Sequence, residues 1–249
     1  MTTWSVYLPQ CFSCHQSISM CYRFALELWD PNEFQNQFDI GLNDEHPIES
    51  NFNTAITTNI PVIIQNEKTR LVTYMKWWLI PHRAKDASIS NKLANARSES
   101  VFEKPSFSES IVQRRCIVPA SWFFEWQDMG KRKQPFYISS ASQSYLGLAG
   151  IYDLRNDPEK PWWSTITSVS LLTTEPNNLI EPLHDRMPVI LDSESYNWWL
   201  SPDKTKEDLM KFFEPINSET LQMRQVSPAV NNVRYKGTDT IQKVSNLFE

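Results

Sequence analysis

Four residues with side chains suited to covalent or acid–base chemistry stand in otherwise apolar segments of this chain: Cys21, Asn95, Glu125 and His184. A thiol can act as a nucleophile, and a carboxyl group or an imidazole can move protons as a general acid or base. Aromatic residues stand on both sides of Glu125 in the sequence, so burial is expected to raise the pKa of its carboxyl group. These residues are the candidates for one reactive pocket.

Each of the four also has an ordinary structural interpretation. Glu125 can face solvent from a strand, and His184 can be a hydrogen-bonded structural histidine. Cys21 can be an inert buried thiol, and Asn95 can be a turn or cap residue. Only a pattern that joins all four segments favours the reactive pocket.

Cofactor and metal patterns are weak. Cys11, Cys14 and His15 match the haem-attachment spacing C-x-x-C-H, but the chain shows neither an export signal nor a haem domain, and one pair is half a zinc site. There is no glycine-rich phosphate loop and no apolar run of about 20 residues. We therefore expect no cofactor, no metal, no membrane contact and a cytoplasmic location with reduced thiols.

The overall charge gives little support to DNA binding. The 249 residues carry a formal net charge of −5, which argues mildly against a nucleic-acid partner. A local groove matters more than the total, and basic residues do cluster at Arg114–Arg115 and Lys131–Lys133.

Strands are expected to dominate the middle of the chain, with helices around them. A polar stretch at 43–53 is interpreted as a loop, and Gly130 marks a hairpin turn. The predicted strands are Leu71–Trp78, Cys116–Pro119, Trp122–Trp126, Phe136–Ser139, Tyr145–Ile151 and Ser164–Thr173. The predicted helices are Ser106–Arg115, Thr174–Ile180, Ser193–Leu200 and Pro202–Phe213. This order predicts a single α+β domain with a curved, mostly antiparallel, barrel-like sheet flanked by helices.

Six segments in order along the chain resemble the SRAP family, the SOS response associated peptidases that cross-link to abasic sites in DNA. The segments are Met20–Phe24, Met75–Pro81, Asn95–Glu99, Arg114–Trp126, Pro182–Val189 and Val226–Val233. The resemblance implies an SRAP-like fold over residues 21–245, after an extension at 1–20.

The resemblance assigns a role to each of the four candidates. Cys21 matches the N-terminal cysteine that forms a thiazolidine with the abasic sugar, and Asn95 belongs to the N-A-R motif. Glu125 matches the acid of the aromatic strand, and His184 matches the histidine of H-D-R-x-P. The implied partner is single-stranded DNA carrying abasic sites, met by a monomer at the nucleoid or, in a eukaryote, in the nucleus during a DNA damage (SOS) response.

Arginine and tryptophan side chains are the expected DNA contacts, because single strands are held by phosphate contacts and base stacking. Trp77 can instead pack in the core, and Trp78 is expected to be the more exposed of the two. The predicted DNA contacts are Arg97, Arg186, Arg23, Arg114, Trp77 and Trp78.

The chain departs from the family pattern in two ways. Tyr22, Trp78 and Trp122 replace glycines, and Phe52–Ile56 lacks the proline of the corresponding motif. In addition, Cys21 is internal if Met1 is the start, and its nitrogen is then an amide that cannot form an imine.

Three hypotheses about function remain open. Translation from Met20 and removal of that methionine would expose Cys21 for DNA capture. Alternatively, the chain is a cysteine peptidase that removes its own N-terminal segment with Cys21 and His184. A third alternative is a non-catalytic single-strand binder that lost its reactivity through Tyr22.

Overall fold

The computed structural model describes residues 23–41, 47–66, 69–84, 92–156 and 165–242. The extension at 1–20, the C-x-x-C-H segment and both Cys21 and Tyr22 lie outside the described residues.

Thirteen strands and four α-helices make up the described part of the chain. The strands are β1 Arg23–Leu26, β2 Asn51–Ala55, β3 Asn59–Gln65, β4 Arg70–Trp77, β5 Asn95–Arg97, β6 Arg115–Ala120, β7 Trp122–Asp128, β8 Lys133–Ser140, β9 Leu146–Asn156, β10 Thr165–Thr174, β11 Met187–Pro188, β12 Ile190–Leu191 and β13 Leu221–Gln225. The helices are α1 Pro31–Phe38, α2 Ser108–Gln113, α3 Tyr196–Leu200 and α4 Lys206–Met210. None of the helices in the described ranges has the length and apolarity to cross a bilayer.

The strands form two sheets, one of which closes on itself. The open sheet has the order β13-β8-β7-β1-β2 and is antiparallel throughout. In the other, β3, β4, β10, β9 and β6 pair in a ring, and only the β4–β10 pair of that ring is parallel. The predicted α+β domain with a curved, mostly antiparallel, barrel-like core is confirmed.

Apolar side chains from both sheets share one core. Phe24 and Phe123 of the open sheet cluster with Trp77 and Leu171 of the barrel. The Phe24 and Trp77 ring centroids lie 5.1 Å apart. Residue pairs of this kind fix how the open sheet sits against the barrel.

The six predicted strands correspond to β4 and β6–β10, and Gly130 lies in the β7–β8 turn with φ 77°. The C-terminal boundary of the loop predicted at 43–53 was wrong, because β2 begins at Asn51 and pairs with β1.

One helix prediction was wrong and another was too long. Thr174 ends β10, and the residues after it form hydrogen-bonded turns, because the Asn177 side chain accepts the N–H groups of Leu179 and Ile180. The helix predicted from Pro202 begins later, after a capping box at Thr205. The other two predicted helices correspond to α2, and to α3 with the 3₁₀ turn before it.

Candidate functional site

The end of β10 brings two of the candidate segments together. β5 runs parallel to β10 with Asn95 opposite Leu171. β11 runs antiparallel to the last residues of β10, with Pro188 opposite Thr173. Since His184 precedes β11 by only three residues, the segments of Asn95 and His184 meet at one end of the barrel.

A bidentate ion pair between Glu99 and Arg186 joins these segments. Arg186 Nη2 donates to Glu99 Oε2 over 2.9 Å and to the Thr173 carbonyl over 2.7 Å, and Nη1 donates to Glu99 Oε1. Partial burial acts to raise the pKa of Glu99, but the hydrogen bonds and charge of Arg186 outweigh it and lower that pKa. The pair therefore ties the turn after β5 to the loop before β11.

The loop backbone orients His184. The N–H of Arg186 donates to Nδ1 of His184 over 2.9 Å, so a neutral ring carries its proton on Nε2. The Asp185 carboxylate also lies 2.9 Å from Nδ1 and would favour a proton there. The Arg186 contact dominates, because Asp185 is exposed and water weakens its charge. A neutral His184 thus presents its Nε2–H as a hydrogen-bond donor.

Glu125 is buried on the face of β7 that looks toward these segments. Its residue is only 2% exposed, which excludes the solvent-facing alternative. Successive strand residues point to opposite faces, so Glu125 shares the face of Phe123. Phe123 packs in the same cluster as Ala94 and Leu183, which are the chain neighbours of Asn95 and His184.

Asn95 is also buried, at 4% exposure, on a strand rather than in a turn. Cys21, the expected nucleophile, precedes β1 by two residues and lies outside the described part of the chain. The structure thus buries Glu125 and Asn95, and the cluster of Phe123, Ala94 and Leu183 brings β7 close to the segments of Asn95 and His184.

The predicted arginine contacts fall into two groups. Arg97 is exposed at the end of β5, and Arg23 is half-buried, with its hydrogen bonds going to neutral oxygens. Arg186 is buried against Glu99, and Arg114 lies 3.1 Å from a Glu109 oxygen and 3.3 Å from an Asp153 oxygen. Phosphate contacts by Arg186 and Arg114 stay predictions. They require each arginine to break part of its ion pairing with Glu99, Glu109 or Asp153.

The two tryptophans differ sharply. Trp77 is fully buried, and its Nε1–H donates to the Ala94 carbonyl over 3.1 Å, so the stacking role is corrected to core packing. Trp78 is only partly buried, with Lys76 Nζ 4.7 Å from its ring centroid, and is the more exposed of the two, as expected.

The bulky residues at family glycine positions do not strain the backbone where they are described. Positive φ at described non-glycine residues occurs only at Asp39 and Thr57, so neither Trp78 nor Trp122 occupies the left-handed region. Trp122 is buried, with its ring 5.2 Å from Tyr137.

The sequence reasoning missed two polar residues that support the site. Glu99 lies in the Asn95–Glu99 motif and Asn53 in the incomplete motif Phe52–Ile56, and neither carries a predicted role. Asn53 is completely buried and its Nδ2 donates to the carbonyls of Val230, Asn232 and Tyr235. Their positions in motifs were the available signal. In the described ranges, no group of three or more His, Cys, Asp or Glu side chains is arranged to hold a metal ion.

Comparisons with known proteins agree on one family. The model of the SOS response associated peptidase (SRAP) family matches residues 20–233. The chain is 36% identical to abasic site processing protein YoqW of Bacillus subtilis (strain 168) over 229 residues, which cover 90% of this chain and 99% of YoqW. It is 33% identical to abasic site processing protein YoaM of the same organism, over 92% of this chain and 100% of YoaM.

The fold is shared with a solved structure. A crystal structure of a protein from Bacteroides thetaiotaomicron matches with a TM-score of 0.77 at 24% identity, over 91% of this chain and 98% of that one. With the family model covering most of its length, the chain belongs to the SRAP family.

Proposed function

We propose that this chain captures abasic sites in single-stranded DNA by forming a covalent bond through Cys21, in a DNA damage response. Family membership and the names of YoqW and YoaM support abasic DNA as the substrate. The observation that carries the proposal is the burial of Glu125 on a strand whose Phe123 packs in one cluster with Ala94 and Leu183, the chain neighbours of Asn95 and His184.

The chemistry uses both nucleophiles of an N-terminal cysteine. The α-amine, whose pKa is about 7.7–8.0, is partly neutral near neutral pH and attacks the aldehyde of the ring-open abasic sugar. Loss of the aldehyde oxygen as water gives a Schiff base. The Cys21 thiol then adds to the imine carbon, its proton passes to the nitrogen, and a five-membered thiazolidine closes. Glu125 and His184 move the protons that these steps require.

Chain connectivity supports this assignment. Two residues span at most about 7 Å, so the Cys21 Cα is never farther than this from that of Arg23, the first residue of β1. β1 and β7 are antiparallel, with Phe24 opposite Phe123, so Glu125, in the middle of β7, lies close to the position where β1 begins.

The reaction requires a free α-amine on Cys21. A chain that retains residues 1–20 has an amide at this nitrogen, which cannot form an imine. Initiation at Met20 followed by removal of that methionine would supply the free amine.

The direct test is the chain started at Met20, with the exposed Cys21 verified by mass spectrometry, mixed with a single-stranded oligonucleotide carrying one abasic site. We expect an adduct that survives denaturation, and none from Cys21→Ala. Cys116→Ala is the matched control and should cross-link normally, because burial raises the pKa of the Cys116 thiol well above its usual range. If the verified Cys21 terminus forms no adduct, the proposal is wrong.

Autoproteolysis is a second candidate function. It is favoured by the 20 residues that precede Cys21 and by the word peptidase in the description of the family. The full chain would then lose residues 1–20 on incubation, as seen by intact mass, and Cys21→Ala would keep them. Salt-sensitive DNA binding without adduct or trimming would instead indicate a non-catalytic binder.

We also propose that the protein acts as a monomer where the DNA is, at the nucleoid or in a nucleus. Light scattering with and without a short single strand tests the oligomeric state, and a dimeric mass would contradict it.

A further inference from the structure

Asn53 positions a loop near the C-terminal end of the described chain, at residues 230–235. Asn53 lies on β2, and its buried side-chain Nδ2 donates to the carbonyl oxygens of Val230, Asn232 and Tyr235 over 3.0 to 3.2 Å. The loop is therefore fixed against the strand that pairs with β1, the strand that follows Cys21. Lys236 comes directly after this anchored stretch.

Two cations converge on Asn53. Arg23 Nη1 donates to Asn53 Oδ1, and Lys236 Nζ donates to the Asn53 carbonyl. Arg23 also donates to the carbonyls of Val230, over 2.9 Å, and Asn231, over 3.2 Å. All of these acceptors are neutral oxygens, so each contact orients a cation without cancelling its charge.

Carboxylates do not neutralise this pair within the described ranges. Neither Arg23 nor Lys236 has an Asp or Glu oxygen within ion-pair distance there. The carboxylate of the same loop, Asp239, is held by the hydroxyl of Tyr235. Burial lowers the pKa of Arg23; burial and then the charge of Arg23 lower that of Lys236. Two like charges held together in this way favour an anion between them.

We propose that Arg23 and Lys236 together bind one backbone phosphate of the DNA strand beside the captured abasic site. This rests on the proposed function, because it takes the anion to be DNA. Arg23 lies two residues from Cys21, so the phosphate belongs to a nucleotide near the abasic one. Arg23 supplies a planar donor set and Lys236 a mobile point charge.

The test measures reversible binding of the full chain to an intact single-stranded oligonucleotide by fluorescence anisotropy across a salt series. Each lost phosphate contact reduces the slope of log K against log salt by about 0.7 for single strands. Lys236→Gln should show this reduction and several-fold weaker binding at low salt. Arg23→Lys, which keeps the charge, should retain the wild-type slope.

Lys211→Gln is the matched control. It removes the same charge from an exposed lysine that is paired with Asp208 on α4, and it should leave the slope unchanged. In the Cys21-exposed form, Lys236→Gln should raise the DNA concentration for half-maximal cross-linking and leave the rate at saturating DNA unchanged.

A wild-type slope for Lys236→Gln would overturn the phosphate site. A fall in its melting temperature with an unchanged slope would do the same and assign Lys236 a purely structural role. Either result leaves adduct formation at Cys21 untouched, so failure of this site is distinguishable from failure of the proposed function. A wild-type chain that binds no single strand would overturn both.

Discussion

A substitution of Glu125 tests the proposed chemistry most directly. Glu125 carries a buried carboxyl group on a strand whose neighbouring side chains are aromatic. Glu125→Gln keeps the shape of the side chain and removes the carboxyl group that can donate and accept a proton. We expect the adduct to form more slowly by on the order of 10²-fold, because acid–base catalysis contributes this much or more.

The time course of adduct formation at saturating DNA measures this effect. Glu103→Gln, at an exposed position, is the control for charge loss and should react at the wild-type rate. Equal rates for Glu125→Gln and wild type would remove Glu125 from the proton-transfer steps.

Some individual residues were predictable from sequence because their surroundings were unusual. Glu125 stands among aromatics, and His184 lies in a compact polar motif. Glu99 and Asn53 were not assigned roles, because their partners are distant in sequence: Arg186 is 87 positions from Glu99, and Tyr235 is 182 from Asn53. Only folding reveals that such residues hold others in place.

At the scale of elements, the Glu99–Arg186 pair joins the turn after β5 to the loop before β11. Glu99→Gln leaves the nearly buried Arg186 charge without its partner. Since Glu99 is half-exposed, we expect a loss of about 1–2 kcal/mol in the free energy of unfolding, between the values for exposed and buried pairs. Slower adduct formation should accompany it, because the Arg186 N–H orients His184.

The pH dependence of stability identifies the source of this loss. The folded pKa of Glu99 is lowered below its ordinary value of 4.5, so the contribution is complete above that pH and disappears as pH falls through the lowered value. Urea unfolding should therefore show the difference between wild type and Glu99→Gln at neutral pH and a smaller one in acid. A difference that grows in acid would contradict this assignment.

Arg115 fastens two helices to the barrel. Its guanidinium donates to the carbonyls of Ile111 and Val112 in α2 and to those of Trp199 and Ser201 at the end of α3. Lysine cannot reproduce this planar set of donors, so Arg115→Lys should lower the free energy of unfolding by about 2–3 kcal/mol.

Urea denaturation checks the Arg115 prediction, with Arg83→Lys as the control. Arg83 is largely exposed, so its replacement should change stability by less than about 0.5 kcal/mol. Similar losses from both variants would show that the carbonyl contacts of Arg115 add nothing specific.

Six of the longer strands were predicted, but β3, with seven residues, was missed, as were β1, β2, β13 and the shortest strands. β4 and β6–β10 contain enough apolar and β-branched residues to display a strand pattern. β5, β11 and β12 have two or three residues each, too few for any periodicity, and exist because β9 or β10 offers them backbone partners. The helix expected after Thr174 fails for a local reason, since Asn177 captures the N–H groups that a helix would use.

At the scale of the whole molecule, closure of the barrel depends on close approach at Gly150 of β9. This residue pairs with Cys116 of β6 and with Leu171 of β10. A Cβ at Gly150 would lie 2.8 Å from Cys116 Sγ and 3.4 Å from Val169 Cγ2. Gly150→Ala should therefore cost about 1–3 kcal/mol through overpacking.

A double-mutant cycle tests this contact. Adding Cys116→Ala removes the sulfur and should restore part of the loss, so the two substitutions should be non-additive by at least about 0.5 kcal/mol. Additive effects, measured by urea unfolding, would mean that another part of the barrel limits residue 150.

The position of β10 has a consequence for protein synthesis. The strand is residues 165–174, and it holds Asn95 on one side and the segment after His184 on the other. A ribosome must therefore translate about three quarters of the chain before the groups proposed to transfer protons can assemble. Cys21 leaves the exit tunnel long before that, so under the proposed function a newly made chain would offer its thiol, and its amine if the preceding residues are removed, to cellular aldehydes before the proposed catalytic partners have folded.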